Sequence, residues 1–162
     1  MGHKIEEIKI KSKDMNIIIG QSHFIKTVED IYEALITSFD GIKFGIAFNE
    51  ASGDRLIRND GNDDELIKQS VEIAEKIGAG HSFIILIKNA YPINVLDRLK
   101  HVMEVVNIYV ATANPIKVIV YDDGDGGRAI IGAIDGKKPL GIENESDKKK
   151  RHDFLRKIGY KR

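Results

Sequence analysis

Residues 75–88 read EKIGAGHSFIILIK, and the reading of this stretch decides the fold. A charged helical tail gives way at Gly78 and Gly80 to the apolar run Ser82–Ile87. A helix therefore stops and a buried strand begins within a few residues, with glycine supplying the left-handed cap. Upstream, Leu66, Ile67, Val71, Ala74 and Ile77 recur at helical spacing. Asn62 reads as the N-cap of that helix, and Asp63, Asp64 and Glu65 as its acidic first turn. Downstream, NAYPI is a turn and Asn94 caps a further helix carrying Val95, Leu96, Leu99, Val102, Met103 and Val106.

The same pattern extends outward. A first strand is predicted near Lys4–Lys11 and a buried one at Met15–Gly20. Thr27 with Asp30 forms a capping pair ahead of Val28, Ile31, Tyr32, Leu35 and Phe39. IKFGIAFN is a strand with Gly45 inside it, and EASGDRLIRNDGND is a polar loop with a short hairpin-like interior. IYVAT, KVIVYD and RAIIGAI are strands separated by ANPI and DDGDGG, and Ser146 opens a terminal helix that Gly159 stops. The order is β-β-α-β-α-β-α-β-β-β-(β)-α. It predicts one α/β (α+β mixed) domain over residues 1–162, with a mixed, mostly antiparallel-edged sheet and helices packed on it.

Composition narrows the function. The chain has 162 residues, 25 basic and 25 acidic side chains, and no cysteine. A balanced charge gives no global attraction to nucleic acid or membrane. The lack of cysteine excludes disulfides, zinc–thiolate sites and thiol nucleophiles. There is no apolar run of membrane-spanning length and no signal-peptide pattern, so a cytoplasmic protein is expected. Abundant Lys, Glu and Ile without Cys or Trp fit a thermophile. No P-loop, dinucleotide fingerprint, G-x-S-x-G or H-E-x-x-H occurs.

Polar residues stranded at element ends are the candidates. Gly20, Gln21, Ser22, His23 and Lys26 sit between a strand and a helix. Such a loop either offers N–H groups and a helix dipole to a phosphate or is a plain βα connection. Asn49, Glu50 and Ser52 end a strand; a carboxylate there suits base chemistry or Mg²⁺, or is a solvated acid. Among the acids after Asn62, Asp63 is the metal candidate, although capping accounts for the cluster without a ligand. The imidazole of His81, behind Gly80, is either a structural group or a nucleophile and phosphate partner. Ligands in open α/β sheets sit beyond strand C-termini, and His81 starts a strand. It reaches such a crevice only if that strand runs antiparallel to its neighbours. In ATANP, Thr112 and Asn114 either contact a purine or make a tight turn. Arg128 follows a hairpin turn and is within reach of a phosphate. The tail DKKKRHDFLRKIGYKR holds eight basic and two acidic residues and reads as a solvated helix with Phe154, Leu155 and Ile158 on its apolar side.

The blocks GQSHFIKTVEDIYEAL, FGIAFNEASG, LIRNDGND, GAGHSFII, PINVLDRLKHVMEV, ATANP, GRAIIGAIDGKKPLGIE and LRKIGYK cover nearly the whole chain. Together they resemble the adenosine-specific kinase family of archaea and some bacteria. The resemblance implies a domain that binds adenosine, AMP, ADP or ATP and carries a phosphohistidine, at His81 first and His23 second. It implies a nucleoside pocket that includes Thr112 and Asn114, with Asn49, Gly20, Ser22 and Gly80 as further contacts. Lys26 and Arg128 are expected to neutralise the phosphoryl group, and Glu50 or Asp63 to hold Mg²⁺. Where relatives carry a cysteine this chain has Asn49, so no thiol role carries over. A non-catalytic adenine-nucleotide sensor and an oligomer merely stabilised by nucleotide are the alternatives. A homo-oligomer is expected, and no nucleic-acid partner.

Overall fold

In the computed structural model, which describes residues 2–11 and 13–162, the chain forms β1 (Lys4–Ile10), β2 (Asn16–Ser22), α1 (Thr27–Ile36), β3 (Lys43–Asn49), β4 (Ile57–Gly61) and α2 (Asp64–Ile77). It continues with β5 (Ser82–Lys88), α3 (Pro92–Lys100), β6 (Val105–Thr112), β7 (Ile116–Asp122), β8 (Arg128–Asp135) and α4 (Glu145–Lys157). One sheet runs β4-β3-β5-β2-β6 and a second runs β1-β7-β8. Every strand pairing is antiparallel. The single mixed α/β domain is as expected; among the described residues the strands pair only antiparallel, in two sheets.

Continuous apolar strands are usual in parallel sheets, which are buried on both faces. Here antiparallel strands are buried the same way. Phe83, Ile85 and Ile87 of β5 join Ile31 and Leu35 of α1 and Val95 and Leu99 of α3. The intervening Ile84 and Leu86 join Leu66, Ala74 and Ile77 of α2 and Val118 and Val120 of β7. The layers are therefore α1 and α3, the five-stranded sheet, then α2 beside the three-stranded sheet. Gly45 sets the spacing of the last two, because a Cβ there would overlap the backbone of Leu66 and Ile67. No helix among the described residues is long and apolar enough to cross a membrane.

Several local expectations shift. The polar loop contains β4, an edge strand whose residues Ile57–Gly61 pair with β3. Lys26, not Thr27, is the N-cap of α1, and the Thr27 hydroxyl lies 2.7 Å from that of Ser22. Asp63 caps α2, with Oδ1 accepting from the Leu66 N–H, while the Asn62 amide is spent on Ile42 O and the Phe44 N–H. Tyr91 is the N-cap of α3, and Asn94 reaches back to the Tyr91 N–H. That helix ends at Lys100, so Val106 belongs to β6. Asn144, not Ser146, caps α4, and no strand lies between β8 and α4. α4 buries none of its residues; Phe154 is 57% exposed.

Candidate functional site

Antiparallel pairing gathers five strand termini at one end of the larger sheet. Gln21 pairs with Ser82, Phe48 with Phe83, Asn49 with Ile57, and Ser22 with Val105. The C-terminal ends of β2 and β3 thus lie beside the starts of β4, β5 and β6. His81 meets the condition set by its sequence position: it begins a strand yet sits where two neighbours end.

The backbone of His81 is clamped from both sides. Its N–H donates to Asn49 O at 2.7 Å, and its carbonyl accepts from the Ser22 N–H at 2.9 Å. Its φ is +61°, a left-handed conformation that is uncommon for a residue with a Cβ and often marks a functional position. The imidazole is half-buried and stacks on Phe48, with ring centroids 5.8 Å apart and planes 11° apart. The exposed His23 ring stands edge-on at 6.4 Å. Neither ring nitrogen of His81 has a hydrogen-bond partner among the described residues. An imidazole held still with both nitrogens open is available for bond formation.

Charged groups surround this end, already paired. Lys26 Nζ lies 2.7 Å from Asp30 Oδ2 and 3.0 Å from Glu104 Oε1. Asp30 and then Glu104 hold the ammonium pKa above its ordinary value, and Lys26 in turn holds the Asp30 carboxyl below the usual range. Glu104 is 4% exposed, and its carbonyl accepts from the His23 N–H. Glu50 accepts from the Leu56 N–H and from Arg58, and these two keep its carboxyl below the ordinary range. Glu104 and Phe48 were not singled out from sequence, and Asp30 was read only as a capping partner of Thr27. Glu104 lay in a stretch with helical periodicity, and only an acid between apolar neighbours hinted at it.

Next to Gly80 a groove of about 600 Å³ runs between the 50–57 loop, the end of α2 and the β7–β8 turn. Asn49, Glu50, Gly80 and Arg128 line it; the His81 ring is not part of its wall and faces the Phe48 side of the sheet instead. The volume lies in the usual range for a small-molecule site. Asn49 is nevertheless a buried strut, its amide donating to Ala74 O and to Ser82 Oγ. Arg128 is likewise committed, to Glu6 Oε2 at 2.6 Å and to Lys76 O at the end of α2.

The remaining candidates lie elsewhere. Gly20 is inside β2, not in a loop, and a Cβ there would overlap Asn107 O and the Phe83 ring. Ser22 is buried and paired with Val105. Thr112 pairs with Ile17 at the start of β2, about 17 Å along the strand from Ser22 at 3.4 Å per residue. There Thr112 Oγ1 and Asn114 Nδ2 each donate to Asp135 Oδ1 at 2.9 Å. Within one chain they lie at the opposite end of the sheet from His81. Asp63 is also at the far end, since Asn62 N bonds Phe44 O. No set of three or more metal-ligating side chains is found among the described residues. The residues present do not form a protein Mg²⁺ site at His81.

An antiparallel α/β domain that presents an open imidazole beside a nucleoside-sized groove is the class the fold and site define. The family model described as adenosine specific kinase matches residues 7–161, and the chain belongs to that family. It is also similar to a crystal structure of the PH1918 protein from Pyrococcus horikoshii OT3, with 49% identity over 99% of both chains and a TM-score of 0.93. Comparison with curated proteins gave no match.

Proposed function

We propose that the protein is an adenosine-directed phosphotransferase that carries the phosphoryl group on His81. The open, clamped imidazole is the observation that supports this reading most directly, and family membership supplies the adenosine side of it. A neutral imidazole nitrogen attacks the terminal phosphorus of ATP; the N–P bond forms as the P–O bond to ADP breaks. A hydroxyl of the acceptor then attacks phosphorus, the N–P bond breaks, and the hydroxyl proton leaves to water. Splitting the transfer in two replaces one demanding step with two easier ones. Adenosine or its nucleotides occupy the groove beside Gly80, with Mg²⁺ arriving on the nucleotide phosphates rather than in a protein cage.

A second reading has its own support. Lys26, Arg58 and Arg128 are all ion-paired, which leaves little positive charge for a transferring phosphoryl group and suits a nucleotide sensor. The test uses γ-labelled ATP with wild type, His81→Ala and His23→Ala. Acid-labile label on the protein that is lost only in His81→Ala, with phosphorylated product exceeding the protein in moles, supports the transferase. Bound adenosine or AMP with no label and no turnover supports the sensor. Loss of label only in His23→Ala moves the carrier to His23.

A further inference from the structure

The groove beside Gly80 has an oxygen in its wall that the protein holds in place but does not use. Asn49 is the most buried residue lining that groove, at 6% exposure. Its Nδ2 donates to Ala74 O at 3.0 Å and to Ser82 Oγ at 2.9 Å. Ser82 has already given its own proton to Ala79 O at 2.6 Å, so its Oγ accepts from Asn49, as the Ala74 carbonyl must. A flipped amide would set Oδ1 against both of these acceptors, so the side chain has one orientation. Oδ1 itself receives no hydrogen bond among the described residues, and it is not sealed from solvent. Asn16 Oδ1 also lacks a partner, but it is shut away from solvent, where no ligand reaches it. A fixed and open acceptor at the bottom of a groove stays unsatisfied until water or a ligand donates to it.

The surroundings of that oxygen limit what the ligand is. Gly78 and Gly80 after α2, with Gly126 and Gly127 in the β7–β8 turn, give the groove walls of bare backbone against which a flat ring can lie. Glu50 and Arg128 are committed to Arg58 and Glu6. The other charged groups of the groove are Asp54, Glu75 and Arg55, all exposed and without an ion-pair partner among the described residues. Two free carboxylates against one guanidinium favour a ligand that offers donors and carries no negative charge.

We propose that the groove selects an uncharged aminopurine nucleoside over its own nucleotides, and that Asn49 Oδ1 reads the base. The exocyclic amino group of adenine donates to Oδ1, the ring lies along the glycines, and the ribose hydroxyls donate to Glu75 and Asp54, as ribose does to acidic side chains in dinucleotide sites. A base with an oxo group in place of the amino group, as in inosine, sets carbonyl against carbonyl and leaves Oδ1 without a donor. Free ATP is repelled by the two carboxylates unless Mg²⁺ covers its phosphates. The inference rests on the proposed function only in placing adenosine in this groove; it holds whether or not His81 carries a phosphoryl group.

Calorimetry on the full-length protein, with EDTA present, compares adenosine, inosine, purine riboside and ATP. Adenosine is expected to bind about tenfold or more tightly than inosine and purine riboside, which lack the amino group, and about tenfold or more tightly than ATP. The double variant Asp54→Asn/Glu75→Gln, two exposed changes of unaltered shape, is expected to narrow the gap between adenosine and ATP. Asn49→Ala is expected to bring the adenosine-to-inosine ratio close to one; a ratio of two affinities does not depend on the fraction folded, so it survives a loss of stability. In isotope-labelled wild type, the Asn49 side-chain amide resonance is expected to move on adding adenosine. Inosine bound as tightly as adenosine overturns the base reading, as does an unmoved Asn49 resonance or an unchanged ratio in Asn49→Ala. ATP bound as tightly as adenosine without Mg²⁺ overturns the charge selection. Selective adenosine binding with no acid-labile label on wild type rejects the carrier reading and leaves this one standing; label without adenosine binding does the reverse.

Discussion

The two ends of the five-stranded sheet treat their polar groups in opposite ways. At the Thr112 end, both side chains of the turn converge on one Asp135 oxygen. At the His81 end, the backbone is clamped in a left-handed conformation while the ring nitrogens are left open. A satisfied network is what a turn needs to hold its shape. A held but unsatisfied imidazole gains the fold nothing, and that difference separates structural polarity from chemical polarity.

That contrast can be broken by substitution. Asn49→Ala is expected to have the largest effect on stability, a loss of about 3 kcal/mol, because Ala74 O and Ser82 Oγ lose a buried donor. Urea unfolding measures it, and an unchanged midpoint would show that Asn49 is not a strut. Asp135→Ala comes next, at about 2 kcal/mol, since Thr112 and Asn114 lose their shared acceptor. Adenosine affinity should stay within twofold by calorimetry; a tenfold loss would tie that end to the ligand. His81→Gly is expected to change stability in the other direction, a gain of about 1 kcal/mol from relief of the positive φ, while the protein loses all phosphoryl label. A stability loss instead would make His81 a structural residue.

The smallest effect is a pH dependence. The folded Glu50 carboxyl lies below its ordinary value because the Leu56 N–H and Arg58 favour the anion. Its contribution is therefore present above the ordinary carboxylate range and is lost as pH falls through the lowered folded value. The protection factor of the Leu56 amide, corrected for the intrinsic exchange rate at each pH, should fall as acidification passes below the ordinary carboxylate range, and Glu50→Gln should flatten that response. An identical profile in both proteins would mean that other contacts hold the loop.

Much of the fold was legible because burial on both faces wrote long apolar runs into β2, β3 and β5 and clear periodicity into α1 and α2. β4 was not legible as a strand: IRNDG is poor in strand formers and is held by its neighbour β3. Helix starts slipped by one to three residues because Thr27, Asn62 and Asn94 spend their side chains on other elements or on a neighbouring backbone group. The site was half legible. His81 announced itself by its glycines, and strand direction decided its position. Glu104 did not, since its role depends on β2 and β6 pairing across more than eighty residues.

The pairing of β1 with β7 has a consequence for synthesis. Lys4 lies opposite Asp122, so the first strand emerges long before its partner exists. At 5–20 residues per second it waits about ten seconds. A bare apolar strand exposed that long would seek other chains. KIEEIKI instead places Lys4, Glu6, Glu7 and Lys9 among its three isoleucines, and charges of this kind discourage edge-to-edge pairing. The loose alternation that made β1 a weak strand in the sequence is what lets the nascent chain stay soluble until β7 arrives.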